Sequence, residues 1–337
     1  MRPIVAFRVD ASPDIGGGHL YRCLSLASAF YQKKWKVSFL VSQDTKQYFS
    51  SIIPSSYTLE VIKHPDDLDR DLRRLGRVAV HVIDHHKLGE EYERNAYVYA
   101  DRLVVLDDLA NRKHICDFLV DQNLGRTHED YCNLVNATAY LCIGPTYALL
   151  RDEFHQLRSL AIKRRGVSKG LKKILVNFGA VDGKKMTPHA LAAIAQAGLK
   201  ADVYVILGAA AEHYEDVQKL SLKMPYKCAV YGNVSDMAAR LVSADMCIGA
   251  GGTTSMERCC LGLPSLVIAT AENQVLQARS LHEAEAHIYA GFWQSVSQDD
   301  ICAELNNLCE NIELVRNISS KSFEVCDGLG VRRLYSM

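Results

Sequence analysis

Strand-like and helix-like segments alternate along almost the whole of this chain, and twice the alternation passes through a glycine turn. Residues 4–10 form an apolar run that closes on Asp10. Gly16-Gly17-Gly18 follow, and His19 opens a segment where Leu20, Cys23, Leu24, Ala27 and Phe30 recur at helical spacing. Residues 174–179 (Ile-Leu-Val-Asn-Phe-Gly) repeat the plan without the histidine, and Thr187-Pro188 reads as a helix N-cap followed by proline at the first helical position. Short apolar runs joined by amphipathic helices build parallel sheets covered on both faces. The pattern predicts an α/β chain of two Rossmann-like halves. Further strands are expected at residues 36–41, 78–84, 103–107, 117–120, 203–208, 246–249 and 265–269. Helices are expected at 19–33, 66–75, 90–99, 187–197 and 310–326.

A length of 337 residues accommodates two cores. The apolar signal fades where Lys163, Arg164, Arg165, Lys169, Lys172 and Lys173 crowd together with Gly166 and Gly170. A charge run of this kind reads as a solvated linker. The expected division is an N-terminal domain at 1–158, a linker at 159–172 and a C-terminal domain at 173–337, with the last helix a candidate to pack back on the first domain.

Several classes are excluded by charge and patterning. With 39 basic and 39 acidic residues, no footprint for nucleic acid is visible. No run of roughly 18 apolar residues is available for a membrane span, and the first residues enter a strand without a signal-peptide pattern. Eleven cysteines, an odd number without a C-x-x-C pair, read as buried reduced thiols. A cytoplasmic protein is expected, a monomer or weak dimer without cofactor.

Four expected strands of the first half end in polar residues: Asp10, Asp84-His85-His86, Asp107-Asp108 and Asp121-Gln122-Asn123. Ligands of open parallel sheets bind beyond the carboxyl ends of the strands, so these groups point to one polar cleft. His19 stands out there, a titratable base at the start of a helix. The helix dipole lowers the pKa of such an imidazole, and a nearby Asp10 carboxylate would raise it while orienting the ring; the sign is open from sequence. In the second half, Gly249-Ala250-Gly251-Gly252-Thr253-Thr254-Ser255-Met256-Glu257 combines backbone space with hydroxyl donors. Ser255 could cap the following helix, and Glu257 could accept from ribose hydroxyls. A tight turn with no ligand is the plainer reading of one glycine loop; the hydroxyl run and Glu257 favour a phosphate. Neither loop carries the Walker or the G-x-G-x-x-G spacing.

These residues resemble the PseG family, the UDP-sugar hydrolases of pseudaminic acid biosynthesis. The likeness runs through the opening Phe-Arg-Val-Asp-Ala-Ser to Gly-His-x-x-Arg-Cys-Leu, Val82-Ile83-Asp84-His85, Asp107-Asp108-Leu109-Ala110 and Asp121-Gln122-Asn123-Leu124-Gly125. It continues through Gly144-Pro145-x-Tyr147 to Arg151, Tyr231 to Met237, Gly249 to Leu263 and Glu272-Asn273-Gln274, and so covers essentially the whole chain. The resemblance implies a glycosyltransferase-B architecture of the MurG type, with the active site in the interdomain cleft and UDP held mainly by the second domain. The implied reaction is hydrolysis of UDP-2,4-diacetamido-2,4,6-trideoxy-β-L-altropyranose by water at the anomeric carbon, with inversion, giving UDP and the free sugar. His19 falls on the family's catalytic histidine, with Asp10 beside it. Substrate-binding positions implied in the first half are Arg8, Gly16, Gly18, Arg22, Asp84, His85, Asn123, Tyr147 and Arg151. In the second half they are Gly179, Val234, Met237, Gly252, Thr254, Ser255, Glu257, Asn273 and Gln274.

The chain departs from the family at His86, where a tyrosine is usual, and at Ala180 and Gly183. His19, His85, His86 and His114 all lie near the expected cleft, but adjacent histidines on a strand point to opposite faces, so no metal is expected. The rival readings are a glycosyltransferase of the same fold with a non-water acceptor, and a non-catalytic nucleotide-sugar binder. A membrane face for a lipid acceptor would have to come from Tyr48, Phe49, Ile52 and Ile53, which read better as core.

Overall fold

The computed structural model describes residues 2–62, 76–167, 170–209 and 211–337. The expected helix at 66–75 lies outside the described residues. Two compact units emerge: Met1–Arg151 with Leu329–Met337, and Asp152–Gly328.

The first unit holds a seven-stranded sheet: β1 (Ile4–Val9), β2 (Lys36–Val41), β3 (Thr58–Val61), β4 (Val78–Asp84), β5 (Ala100–Leu106), β6 (Phe118–Asp121) and β7 (Tyr140–Ile143). Their spatial order is β3-β2-β1-β4-β5-β6-β7, parallel at every pairing. The second unit holds β8 (Lys173–Asn177), β9 (Asp202–Ile206), β10 (Cys228–Tyr231), β11 (Met246–Ala250), β12 (Ser265–Ala269) and β13 (Ile288–Phe292). That sheet is also parallel, ordered β10-β9-β8-β11-β12-β13. In each sheet the order reverses once, between β1 and β4 and between β8 and β11. A reversal splays the connections to opposite faces and opens a crevice at the carboxyl ends, where ligands of such sheets bind. Both glycine turns stand at these reversals.

The central strands are fully buried, as their apolar runs require: β11 and β12 have no exposed residue, and β1 is buried from Val5 to Val9. Of the four residues expected in the core, Phe49 and Ile53 are buried, at 6% and 8% exposure, whereas Ile52 is half-buried and Tyr48 is 44% exposed. All eleven cysteines are free thiols.

The basic run does not behave as a solvated linker. Asp152–Gly166 is a helix of the second unit, and its arginines bind helix ends. Arg158 donates to Cys260 O at 2.7 Å, Phe323 O at 2.7 Å and Cys326 O at 2.9 Å, at the C-termini of the Thr254–Cys260 and Ile312–Val325 helices. Arg164 and Arg165 donate to Ser243 O, Ala244 O and Leu241 O at the end of Met237–Ser243. The last carbonyls of a helix have no intrahelical donors and carry the negative end of its dipole, so guanidinium groups settle there.

Two helix starts also differ from expectation. The helix after β8 is Met186–Gln196, beginning one residue before Thr187, and the Asp182 carboxylate accepts from Met186 N and Thr187 N at 2.9 Å each. Asp182 thus does the work assigned to Thr187. The expected last helix corresponds to Ile312–Val325, which stays in the second unit; a further short helix, Gly330–Tyr335, packs in the first unit, with Tyr335 edge-on to Phe30 and Arg333 donating to Thr146 O.

Candidate functional site

At the first reversal the carboxyl ends of β1 and β4 stand side by side, with those of β5 and β6 next in order, and the polar ends of β1, β4 and β5 meet there. Parallel register sets Asp84 beside Val9, so the Asp84 carboxylate reaches the start of the Gly18–Gln32 helix that follows β1. Its Oδ1 lies 2.6 Å from His19 Nδ1, and Arg22 grips it with Nε to Oδ2 at 2.7 Å and Nη2 to Oδ1 at 2.6 Å. Arg22 also donates through Nη1 to Asp108 Oδ2 at 3.2 Å.

This arrangement fixes the histidine tautomer. His19 Nδ1 is close both to Asp84 and to Arg22 Nη2, the latter at 2.9 Å. Arginine only donates and an ionised carboxylate only accepts. The shorter, charge-assisted contact places the proton on Nδ1, donated to Asp84, which leaves Nε2 of the neutral ring with its lone pair. Burial alone would raise the Asp84 pKa, but the Arg22 charge and His19 outweigh it and hold the carboxyl well below the usual range. Asp108 is held down in the same way by Arg22 and His86 against its burial.

The sequence expectation that Asp10 orients His19 is corrected. Arg8 and Asp10 lie two residues apart, on one face of the extended chain, and Arg8 holds both carboxylate oxygens at 2.6 and 2.9 Å. Ser42 N and His85 Nε2 complete the set around Asp10 at 2.7 and 3.2 Å. His85 Nδ1 in turn accepts from Lys87 N at 3.1 Å, so both nitrogens of that ring are engaged. His86 diverges from His85: its Nε2 sits 3.0 Å from Asp108 Oδ1, and its ring stands edge-on to His19 with centroids 4.4 Å apart. His114 is buried against Glu93 at 2.6 Å. Asp108 was not singled out by sequence, because nothing in the pair Asp107-Asp108 separates the two; in the fold Asp107 accepts from Ala110 N and Tyr131, while Asp108 faces Arg22 and His86.

The Gly16 turn is less open than a bare phosphate cradle. Gly16 N donates to Ser12 O at 2.7 Å and Ile15 N to Ser12 Oγ at 3.1 Å, so the turn closes on itself before Gly18 begins the helix. Among the described residues, His19, His86 and Asp108 have candidate metal-ligating atoms within 4.8 Å of one another. The Arg22 guanidinium already lies against Asp108 and His19, so an ion there would face a fixed cation. The group suits a polar ligand better than a metal.

At the second reversal, Gly251 N and Thr270 N both donate to Gln274 Oε1, at 3.2 and 2.9 Å, which ties the glycine loop to the turn after β12. The helix begins at Thr254 with Thr253 as its N-cap residue, so Ser255 does not cap it. Instead Thr254 Oγ1 and Ser255 Oγ accept from Arg258 Nη1 and Nη2 at 3.1 and 2.9 Å. Thr254 and Glu257 are half-buried, whereas Ser255 is 1% exposed and acts from beneath the loop. Gly179 takes a φ of +92° at the end of β8, and Asn273 is half-buried beside Gln274.

Thus Arg8, Asp10, Gly16, Gly18, His19, Arg22, Asp84 and His85 come together at one reversal, and Gly179, Gly252, Thr254, Ser255, Glu257, Asn273 and Gln274 lie around the other. Asn123 follows β6, two strands beyond β4. Tyr147 lies beside the edge strand β7, its hydroxyl pushed up by burial near Cys142 and Tyr140. Arg151 ends the main segment of the first unit, and Val234 and Met237 follow the edge strand β10. Among the described residues, Asn123 and Tyr147 share no hydrogen bond with His19, Arg22 or Asp84, and Val234 and Met237 share none with the glycine loop.

No family model matches the chain. It is 25% identical over 339 residues to the spore coat polysaccharide biosynthesis protein SpsG of Bacillus subtilis, a match covering 98% of this chain and 96% of that protein. It is 24% identical over 277 residues to an uncharacterized protein of Methanocaldococcus jannaschii, covering 80% of this chain and 56% of that one. A third match, 27% over 154 residues, is to the UDP-2,4-diacetamido-2,4,6-trideoxy-beta-L-altropyranose hydrolase of Campylobacter jejuni and covers 45% and 53%. The chain thus spans about half the length of the second and third of these relatives. Among solved structures, MurG of Acinetobacter baumannii superimposes with a TM-score of 0.68 at 13% identity, covering 99% of this chain and 98% of that one. LpCGTa, solved in complex with UDP, gives 0.61 at 13% identity, covering 100% and 99%. The chain has the glycosyltransferase-B fold, two parallel-sheet α/β domains of seven and six strands. Among the described residues no helix is long and apolar enough to cross a membrane.

Proposed function

We propose that this chain is an enzyme acting on a UDP-linked sugar, and that its reaction is hydrolysis with inversion. The observation that carries the reading is the His19–Asp84 pair: an imidazole with its Nδ1 proton committed to a buried carboxylate and its Nε2 lone pair available, at the carboxyl end of a parallel sheet. A general base needs that tautomer and a partner that stabilises the imidazolium once formed. In the proposed step, water oxygen bonds to the anomeric carbon as the bond to the diphosphate oxygen breaks. One water proton passes to His19 Nε2, and UDP leaves with the bonding electron pair. The glycine and hydroxyl groups from Gly249 to Ser255 receive the diphosphate, whose developing charge they stabilise. The partial match to the Campylobacter hydrolase supports a UDP-2,4-diacetamido-2,4,6-trideoxyhexose as substrate, with water as acceptor. The rival, transfer to a non-water acceptor, is favoured by fold neighbours that are glycosyltransferases.

One assay separates the two. The purified protein is incubated with the UDP-trideoxyhexose in oxygen-18 water without acceptor. Hydrolysis releases UDP and labels the anomeric hydroxyl; no release until an acceptor is added would overturn the hydrolase reading in favour of transfer. His19→Asn is expected to lower turnover by roughly 100-fold or more while UDP affinity stays within about twofold, on the scale of a lost general base. Near-normal turnover in that variant would remove His19 as the base.

A further inference from the structure

Arg258 is a second-unit residue to which the function above assigns nothing. It is 2% exposed, and its Nη1 and Nη2 donate to Thr254 Oγ1, Ser255 Oγ and Ala250 O, while Nε has no partner. Among the described residues no carboxylate pairs with it. Three buried titratable groups that feel its charge, Cys247, Cys259 and His287, add no negative charge at neutral pH. Burial pushes the Cys247 thiol up to about 11 and the Cys259 thiol up to about 12, and burial pushes His287 down to about 3 with its Nε2 on Ala278 O. Burying a cation without a countercharge is costly, and such a group is retained where its charge is used.

The hydroxyls show where that charge is directed. Each oxygen accepts a guanidinium N–H, so each O–H proton points elsewhere, and among the described residues neither finds a protein acceptor. Gly249 stands between the guanidinium and the neighbouring strand: a Cβ there would collide with Asn177 O of that strand and would lie 3.3 Å from Arg258 Nη1, so the guanidinium packs directly against the backbone of the loop.

We propose that Arg258 is a positioning residue for the diphosphate: from beneath the loop it polarises the Thr254 and Ser255 hydroxyls into donors, and the diphosphate supplies the countercharge that the protein itself lacks. This rests on the reading of the Gly249–Ser255 loop as the UDP site. The anion never touches Arg258; its charge is felt through one layer of hydroxyls.

The test compares binding of UDP, by calorimetry, with binding of uridine, by ligand-observed NMR, in the full chain and in Arg258→Met, with thermal melting as the folding control. Hydrogen bonds to charged groups are worth about 1.5–3 kcal/mol, so UDP affinity is expected to fall by roughly 10–100-fold. Uridine affinity should stay within about twofold, which a merely structural role would not allow. Equal losses for both ligands, or none for UDP, overturn the inference alone. Absence of UDP binding by the unaltered protein overturns the UDP reading and the inference with it. Should Arg258→Met fail to fold, Thr254→Val keeps the guanidinium and the side-chain shape but removes one hydroxyl. It is expected to weaken UDP by several-fold and uridine not at all; unchanged UDP affinity in that variant overturns the relay.

Discussion

The two crevices share a topology and differ in almost every chemical respect. At the β1/β4 reversal three carboxylates, three imidazoles and two guanidiniums from Arg8 to Asp108 interlock through hydrogen bonds of 2.6–3.2 Å. At the β8/β11 reversal the described residues place a buried cation, Arg258, under a run of glycines and hydroxyls, and no carboxylate among them pairs with it. A strand–turn–helix unit supplies only position: the carboxyl end of a strand and a free approach for backbone. Titratable groups on the strand ends turn that position into a place for moving protons. Where glycines, hydroxyls and a covered cation follow the strand instead, with Asp182 engaged by His213 and the start of the next helix, the position becomes a place for holding an anion.

If this division is right, removing the cation from each crevice should have unequal consequences for stability. Arg22 bridges Asp84, which is fully buried, and Asp108, 12% exposed. Arg22→Met leaves those carboxylates with His19 and His86 as partners but without the fixed cation they share, and breaking a buried pair from one side costs about 3–5 kcal/mol. The melting transition at pH 7 should fall by several degrees or more and recover partly on acidification, as one carboxyl takes up a proton. A melting curve like that of the unaltered protein would show that the cluster is not electrostatically closed.

Much of this was legible in the sequence, and the losses have a common cause. The strands at the centre of each sheet, β1, β2, β4, β5, β6, β8, β9, β11 and β12, stand out as apolar runs because both faces are covered. The four strands that did not stand out, β3, β7, β10 and β13, are the four sheet edges, with partly exposed side chains and no clean pattern. His19 and the glycine loops were visible because backbone shape and local order carry them. The partner of His19 was not, because nearness along the chain favours Asp10, whereas Asp10 is claimed by Arg8 on its own strand and Asp84 arrives through parallel register. Arg158, Arg164 and Arg165 were hidden for a similar reason: their acceptors are carbonyls, which no residue type announces.

The carboxylates of the first crevice also set its pH behaviour, and Asp121 separates from the rest. Burial pushes its pKa up to about 6, despite hydrogen bonds from Asn123 N and Tyr131. Tyr131 Oη lies 2.8 Å from Asp121 Oδ2 and 2.9 Å from Asp107 Oδ2 and has one proton for two carboxylates, so a proton on Asp121 completes the set. Because the folded value lies above the unfolded value, this group favours folding below about pH 4 and loses that contribution as pH rises through about 6. Asp10, Asp84 and Asp108 have depressed values and run the other way, stabilising above about pH 4 and losing their contribution as pH falls below it. Asp121→Asn should therefore stabilise the fold by about 2 kcal/mol at pH 8 and by much less at pH 4. Denaturant titrations at the two values check this; a gain at pH 4 equal to that at pH 8 would assign the effect to packing.

The smallest expected effect falls on Gly16, and the glycines that mark the two crevices are needed for different reasons. Gly16 has a φ of +81° with nothing within 4 Å of a would-be Cβ, so its constraint is conformational. Gly249 is not in the left-handed region; its constraint is space, since a Cβ would collide with Asn177 O. Asparagine tolerates left-handed backbone better than other side chains, so Gly16→Asn should cost about 0.5 kcal/mol or less. Gly249→Ala overpacks a strand-to-strand contact and should cost about 1–3 kcal/mol, with loss of UDP affinity as the loop shifts off Arg258. Equal sensitivity at both positions would mean that the first turn, like the second, is held against a close neighbour, and the contrast between an open turn and a tightly backed loop would fail there.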